Sequence, residues 1–312
     1  MLCARRVLSD SARRAGLHVS TFERLAATAT DATELTDAPA TAGVRIHRLM
    51  EQYRMHPAIS SFPSRTFYGG RLINAVTPAQ RPCPSGFPWP DPANPVALVR
   101  VPRGVEESSD RGNKRKRTDA ADEAGASLGN AAEAEVAAAC VRRLLAGGMQ
   151  AKHIGVVTPY RRQVQMIRKR LRGGAMSGGR SGVAGNVEAV DVATVDSFQG
   201  QEREAVILSC VRAQQRDFGE KSSGAIGQIG FLGDGRRLNV ALTRARRALI
   251  VVCHPPTLRA ANLGRRVGGS GKAPVSGMAS AAVDGASCLV ALLADAEERG
   301  LAIDASGLLE GG

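Results

Sequence analysis

The chain has 312 residues, 43% of them hydrophobic, and carries 42 Lys and Arg against 29 Asp and Glu, a formal net charge of +13. That length suits one large or two ordinary domains, and the charge favours a polyanionic partner, most simply nucleic acid, with Ala, Gly and Arg bias as the bland alternative. It has no membrane-length apolar run and no secretory hydrophobic segment, which excludes a helical membrane protein and predicts a soluble, intracellular chain.

Six cysteines, Cys3, Cys83, Cys140, Cys210, Cys253 and Cys288, form no Cys-x-x-Cys pair and stand near no His pair, so no zinc site is expected. Cys140, Cys210 and Cys253 fall in apolar runs and read as buried thiols.

In chain order, residues 1–27 read as helical, with Ser20-Thr-Phe-Glu23 as a capping box. Residues 28–43 read as a loop and 44–49 as a strand. Pro57 opens a helix through about Tyr68. Residues 77–95 are proline-rich and irregular, and 96–101 form a short strand. Residues 103–130 show no apolar period, contain the run Lys114-Arg-Lys-Arg117, and read as a disordered insertion. Asn130 caps a helix whose stripe is Val136, Cys140, Val141, Leu144 and Leu145. Strand and helix then alternate: a strand at 154–157, a helix capped by Thr158 with Pro159 at its first position and ending near Leu171, and a Gly-rich loop at 173–186. Strands at 187–195 and 205–211, a helix near 234–245 and a strand at 248–252 follow. Near-continuous apolar strands between helices predict a parallel sheet covered on both faces. From 259 the chain is Gly/Ala-rich, with helical character only at 286–299.

Three stretches carry chemistry. Thr194-Val-Asp-Ser-Phe-Gln-Gly-Gln-Glu202 is a strand end and turn of hydroxyls, amides and glycine, suited to a phosphate, with Glu202 as an acceptor for a ribose hydroxyl. Arg237 and Arg244 are seven apart on the next helix and so share a face opposite Leu238 and Leu242; planar, always-charged guanidinium forks suit an anion. In Gln52-Tyr-Arg-Met-His-Pro57, Tyr53 is placed to stack on a base and Arg54 to reach a phosphate. Each alone is as readily a plain turn or a solvated basic face; Arg162, Arg168, Lys169 and Arg172 read mainly as surface charge.

Together, "QYRMHP", "VDSFQGQE" and "GFLGDGRRLNVALTRAR" resemble, in order and spacing, motifs of superfamily-one helicases of the up-frameshift type, and "STFERL", "FPSRTFYGGRLINAVTP", "FPWPDP", "IGVVTPYRRQ" and "AVILSCVRA" extend the resemblance over roughly 2–258. It implies an α/β fold of the RecA-like, P-loop NTPase type: a parallel sheet with helices on both faces, the second of two helicase domains. Residues 1–50 would be the remnant of the first domain, 51–258 the second domain with the insertion at about 103–130, and 259–312 a low-complexity tail. By the same resemblance Arg54 and Arg244 are catalytic arginines that reach the γ-phosphate of ATP. Tyr53 lies by the adenine, Glu202 by the ribose, and Gln199 and Gly200 link the nucleotide and RNA sites. Thr158, Pro159, Tyr160, Thr194, Asp196 and Ser197 fall where the domain meets the RNA backbone.

The implied cofactors are ATP and Mg²⁺, with the Mg²⁺ ligands outside this chain. The implied partners are single-stranded RNA, with DNA as the alternative, a first RecA-like domain, and decay factors, with no membrane. The implied location is the cytoplasm, with nuclear shuttling. Gly268-Gly-Ser-Gly-Lys272 mimics a phosphate loop, but Arg266 replaces its first glycine and Ala273 its metal-binding hydroxyl. Asp122-Glu-Ala124 mimics the Mg²⁺ box without an apolar strand before it. The expectation is therefore half of a composite ATP site, in a chain that begins beyond the first-domain motifs and is inactive alone. A non-catalytic nucleic-acid-binding remnant and a related senataxin-like or immunoglobulin-mu-binding helicase remain as alternatives.

Overall fold

Alternation within single strands sets the architecture. Leu98, Val206, Leu208, Leu249 and Val251 enter one buried cluster, while their neighbours Ala97, Val99, Ile207, Ile250 and Val252 enter another. A strand whose successive side chains are all apolar must be covered on both faces. The computed structural model describes residues 9, 11–12, 15–17, 19–21, 24–25, 49–108, 127–173, 187–213, 233–266 and 285–309.

After the short pair β1 (Glu51–Gln52) and β2 (Ile73–Asn74), which flank helix α1 (Pro57–Phe67), come β3 (Val96–Arg100), β4 (Glu106–Ser108), β5 (Leu128–Asn130) and α2 (Ala131–Ala146). Then follow β6 (Ile154–Thr158), α3 (Arg161–Gly173), β7 (Asp191–Thr194), β8 (Arg203–Ser209), α4 (Gly235–Leu242), β9 (Ala245–Cys253), α5 (Pro255–Arg266), α6 (Gly285–Glu298), β10 (Ala302–Asp304) and α7 (Ser306–Leu309). The main sheet runs β10-β3-β9-β8-β6-β7 with every pair parallel. Helices α1, α4, α5 and α6 cover one face through Ile59, Phe62, Leu242, Leu258 and Leu289; α2 and α3 cover the other through Val141, Leu144 and Ile167. This is the covered parallel sheet that the sequence predicts.

Local signals explain most boundaries. His56 Nδ1 accepts the Ala58 amide at 3.0 Å and Pro57 fills the first helical position, so α1 starts there. It ends at Gly69 and Gly70, whose φ of +61° and +74° suit glycine. Asn130 Oδ1 accepts the Glu133 amide at 3.1 Å to cap α2. Cys140, Cys210 and Cys253 are fully buried, as expected, and burial raises each thiol's pKa.

Four expectations are corrected. Thr158 does not cap α3: it is the last residue of β6, fully buried, and α3 begins at Arg161. The 103–130 insertion has ordered ends, since β4 and β5 pair antiparallel and Glu107 meets Arg162 at 2.9 Å; residues 109–126, with the Lys114–Arg117 run, lie outside the described residues. The stretch from 259 is not simply a low-complexity tail, because α6 buries Leu289, Leu292 and Leu293 and β10 pairs with β3 at the sheet edge. Arg244 is not on a helix face with Arg237, because α4 ends at Leu242 and Arg244 sits in the turn before β9. The helical reading of 1–27, the loop at 28–43 and the strand at 44–49 lie almost wholly outside the described residues, although the Ser20 carbonyl does accept the Arg24 amide at 3.0 Å.

Candidate nucleotide and nucleic-acid edges

At the amino edge of the sheet β8 and β9 begin side by side, with Arg203 opposite Ala245. Glu202 therefore stands next to Arg244. The loop 52–56 docks here because the His56 amide donates to the Arg246 carbonyl at 2.7 Å. Side chains satisfy its remaining backbone groups, as buried or half-buried backbone requires. Gln52 Oε1 accepts the Arg54 and Met55 amides at 3.1 and 2.7 Å, and Arg81 donates to the Tyr53 and Arg54 carbonyls at 2.9 and 3.1 Å. Tyr53 is thus held exposed, at 63%, with its hydroxyl donating to Glu51 Oε2 at 2.6 Å.

Arg54 Nε bonds Glu202 Oε2 at 2.5 Å and its Nη1 donates to the Thr243 carbonyl at 3.0 Å. Arg244 Nε donates to the Val240 carbonyl at 2.9 Å and its Nη1 to the Gln201 carbonyl at 3.3 Å. Arg246 approaches the other oxygen of Glu202 at 3.7 Å and Glu204 at 3.2 Å. Burial alone would raise the Glu202 carboxyl; the Arg54 hydrogen bond and the charges of Arg54, Arg246 and Arg244 outweigh it and hold it below its ordinary value. Burial first, and the charge of Arg54 second, lower the pKa of Arg244. Three guanidiniums, Arg54, Arg244 and Arg246, thus gather around the carboxylates of Glu202 and Glu204 at this edge.

The carboxyl edge gathers the other predicted residues. Thr158 and Thr194 lie opposite each other at the ends of β6 and β7. Thr194 Oγ1 meets Ser197 Oγ at 2.8 Å and accepts the Ser197 amide at 3.3 Å. Asp196 and Ser197 are exposed, and Arg237 reaches Asp196 at 3.5 Å. Pro159 and Tyr160 are half-buried, and the buried Thr158 hydroxyl makes no hydrogen bond among the described residues. Thr194, Asp196 and Ser197 are open to a ligand here; Thr158 is not.

The sequence treats 194–202 as one ligand-binding strand end, and the structure divides it. Thr194–Ser197 follow the carboxyl end of β7 and Glu202 precedes the amino end of β8, so the two halves of the stretch belong to opposite edges of the sheet. Phe198, fully buried under the Arg203 guanidinium at 5.3 Å, pins the loop between them. Gln199 and Gly200 are exposed on that loop, where Gly200 takes φ +82°. Gln52, Arg81 and Arg246 are site residues that sequence reasoning passes over, since nothing local marks a bond from Arg81 to a carbonyl 27 positions away.

A parallel α/β sheet covered by helices on both faces defines a RecA-like, helicase-type fold. The chain belongs to the AAA-domain family, whose model matches residues 17–256. It is similar to the regulator of nonsense transcripts 1 homologs of Drosophila melanogaster, 35% identical over 252 residues, and of Arabidopsis thaliana, 38% identical over 254 residues. It is likewise similar to the ATP-dependent helicase NAM7 of Saccharomyces cerevisiae, 37% identical over 258 residues. Each alignment covers 81% of this chain and 18%, 17% and 22% of those relatives respectively, so the chain spans about a fifth of their length. The resemblance to the up-frameshift helicases carried by its motifs is thereby borne out. Among solved structures, the PRRSV nsp10 helicase is 15% identical with a TM-score of 0.23, covering 67% of this chain and 24% of that one, too distant to carry an argument.

Proposed function

We propose that this chain is the second RecA-like domain of an ATP-dependent RNA helicase of the nonsense-mediated mRNA decay type. The observation that supports it most is the convergence of Arg54 and Arg244, from distant parts of the chain, around Glu202 at one sheet edge. In this reading both arginines rest on acceptors of their own chain until a nucleotide arrives. ATP, with Mg²⁺ held by carboxylates of a first RecA-like domain, supplies the phosphoryl chemistry. Glu202 then accepts a ribose hydroxyl, Tyr53 packs on the adenine, and Arg54 and Arg244 turn to the γ-phosphate. An arginine so placed is worth roughly 10³–10⁵-fold in rate, but only when the phosphates are already held opposite it. The chain alone is therefore inactive.

At the other edge Pro159, Tyr160 and the turn at 194–197 meet the backbone of single-stranded RNA, with the buried Thr158 supporting them from the end of β6, and the loop through Gln199 and Gly200 links RNA to nucleotide. Partners among decay factors and a cytoplasmic location with nuclear shuttling follow from the same family reading. Binding of the chain to single-stranded RNA, titrated against salt, tests the carboxyl edge: affinity falls steeply as salt rises and varies little with sequence. An affinity that ignores salt, or one confined to a single sequence, contradicts the reading.

A further inference from the structure

One carboxyl group that neither set of candidate residues uses is buried at the carboxyl edge, against the end of β8. Glu133, in the first turn of α2, is fully buried. Its Oε2 accepts the Ser209 hydroxyl at 2.8 Å and the Val211 amide at 2.7 Å, while Oε1 has no partner among the described residues. Asn130 and Gln163 complete the network: Asn130 Nδ2 donates to the Val211 carbonyl at 3.1 Å, and Gln163 Nε2 to the Asn130 carbonyl and to Ser209 Oγ, both at 3.1 Å. Asn130, Glu133, Gln163 and Ser209 are all 0% exposed. Burying four polar side chains in a core is unfavourable unless they are hydrogen-bonded, and here they bond one another and the backbone around Val211.

The network grips one strained residue. Val211 has φ +70°, the one positive φ outside glycine among the described residues. A β-branched residue in left-handed backbone is an outlier that persists only where its surroundings over-determine it. Here both of its backbone groups are held, the N–H by Glu133 and the C=O by Asn130.

What the strain positions is the next residue. Arg212 is 9% exposed and pairs with Glu106 at 3.0 Å; the parallel pairing of β6 with β8 brings the segment after β8 alongside Tyr160, whose buried hydroxyl has no hydrogen-bond partner among the described residues. Ala213 locks the same spot by exchanging bonds with Glu106, each 3.1 Å. Tyr160 immediately follows Thr158 and Pro159, the turn at the end of β6.

We propose that Glu133 is a positioning residue for the RNA-facing edge: by holding Val211 in its left-handed turn it seats Arg212 behind Tyr160 and fixes the 158–160 turn. This rests on the RNA reading of that edge. A carboxyl that merely filled the core would act on stability alone; a positioning carboxyl acts on RNA affinity through Arg212.

The test titrates a fluorescent single-stranded oligouridine into the full chain and into Glu133→Ala, Glu133→Gln, Arg212→Ala and the Glu133→Ala/Arg212→Ala double variant, each confirmed folded by its melting transition. Glu133→Gln keeps an oxygen for Ser209 and Val211 and binds within about threefold of the unchanged chain; Glu133→Ala and Arg212→Ala each bind roughly tenfold more weakly. The double variant is no weaker than either single one, because the two act in series. Independent, multiplying losses overturn the proposal, as does a Glu133→Gln loss equal to that of Glu133→Ala. If Glu133→Ala does not fold, Glu133→Gln with Arg212→Ala decides the matter: both binding like the unchanged chain overturns it. If the unchanged chain binds no RNA, the proposed function fails by itself. Amide exchange at Arg212 and Ala213 then tests the positioning: at least tenfold faster in Glu133→Gln/Ser209→Ala supports it, and unchanged rates refute it.

Discussion

At the amino edge Arg54 and Glu202 meet at 2.5 Å with 35% and 40% of their side chains exposed; at the carboxyl edge Glu133 meets Ser209 and Val211 with no exposure at all. The same residue type serves opposite ends. A half-exposed ion pair contributes little to stability and exchanges readily, so Arg54 can leave Glu202 for a phosphate at small cost. A fully buried carboxyl group cannot be exchanged, because each donor it abandons is left unsatisfied. The amino edge is built to rearrange and the carboxyl edge to hold still.

The largest effect that tests this contrast is on stability. Glu133→Ala strands the Val211 amide and the Ser209 hydroxyl in the core and destabilises the chain by about 3 kcal/mol or more. Glu202→Ala costs less than about 1 kcal/mol, screened as its pair is by solvent. Denaturant unfolding of both variants measures the difference, and equal losses would break the contrast.

The pH dependence sharpens it. Burial raises the Glu133 carboxyl from 4.5 to about 8, against the opposing bonds from Val211, Ser209 and Cys210 and with help from the charge of Glu106. Between those values the folded chain keeps a proton that the unfolded chain has lost. The contribution of Glu133 is therefore intact below 4.5 and lost as pH rises to about 8, at about 1.4 kcal/mol per pH unit. In Glu133→Gln that decline disappears from the stability profile. Glu202 has the opposite sign: its depressed pKa makes its small contribution present at neutral pH and lost in acid. A Glu133→Gln profile parallel to that of the unchanged chain would refute the assignment.

The smallest effect concerns the strained turn. At an ordinary site Gly is worse than Ala by about 0.5–1 kcal/mol. At Val211 the left-handed φ removes that advantage, so Val211→Gly melts no lower than Val211→Ala. A clearly lower melting temperature for the glycine variant would show that the turn relaxes rather than resisting.

The legible parts of this molecule are those written in local period. Leu238 and Leu242 on α4, Val136 to Leu144 on α2 and the apolar strands all follow from spacing. Arg54, Glu202 and Arg244 were legible only through the order of three motifs, because it is the parallel pairing of β8 and β9 that brings them together. β10 escaped because three residues between Leu301 and Ala305 carry no periodic signal and gain strand form only by pairing with β3. Glu133 was legible as a neighbour of a capping asparagine but not as a core acceptor, since Asn130, Gln163, Ser209 and Val211 meet it only after the sheet has formed. Thr158 read as a cap because Thr-Pro usually is one; here the strand runs one residue further and buries it.

The most direct test of the central claim, that the amino edge is the arginine half of a composite ATP site, joins this chain to a first RecA-like domain from one of its relatives and measures RNA-stimulated ATP hydrolysis. The joined protein hydrolyses ATP and the chain alone does not. Arg244→Ala in the joined protein lowers the rate by roughly 10³-fold or more while RNA affinity is unchanged. Full turnover with Arg244→Ala, or hydrolysis by residues 1–312 alone, would contradict the account.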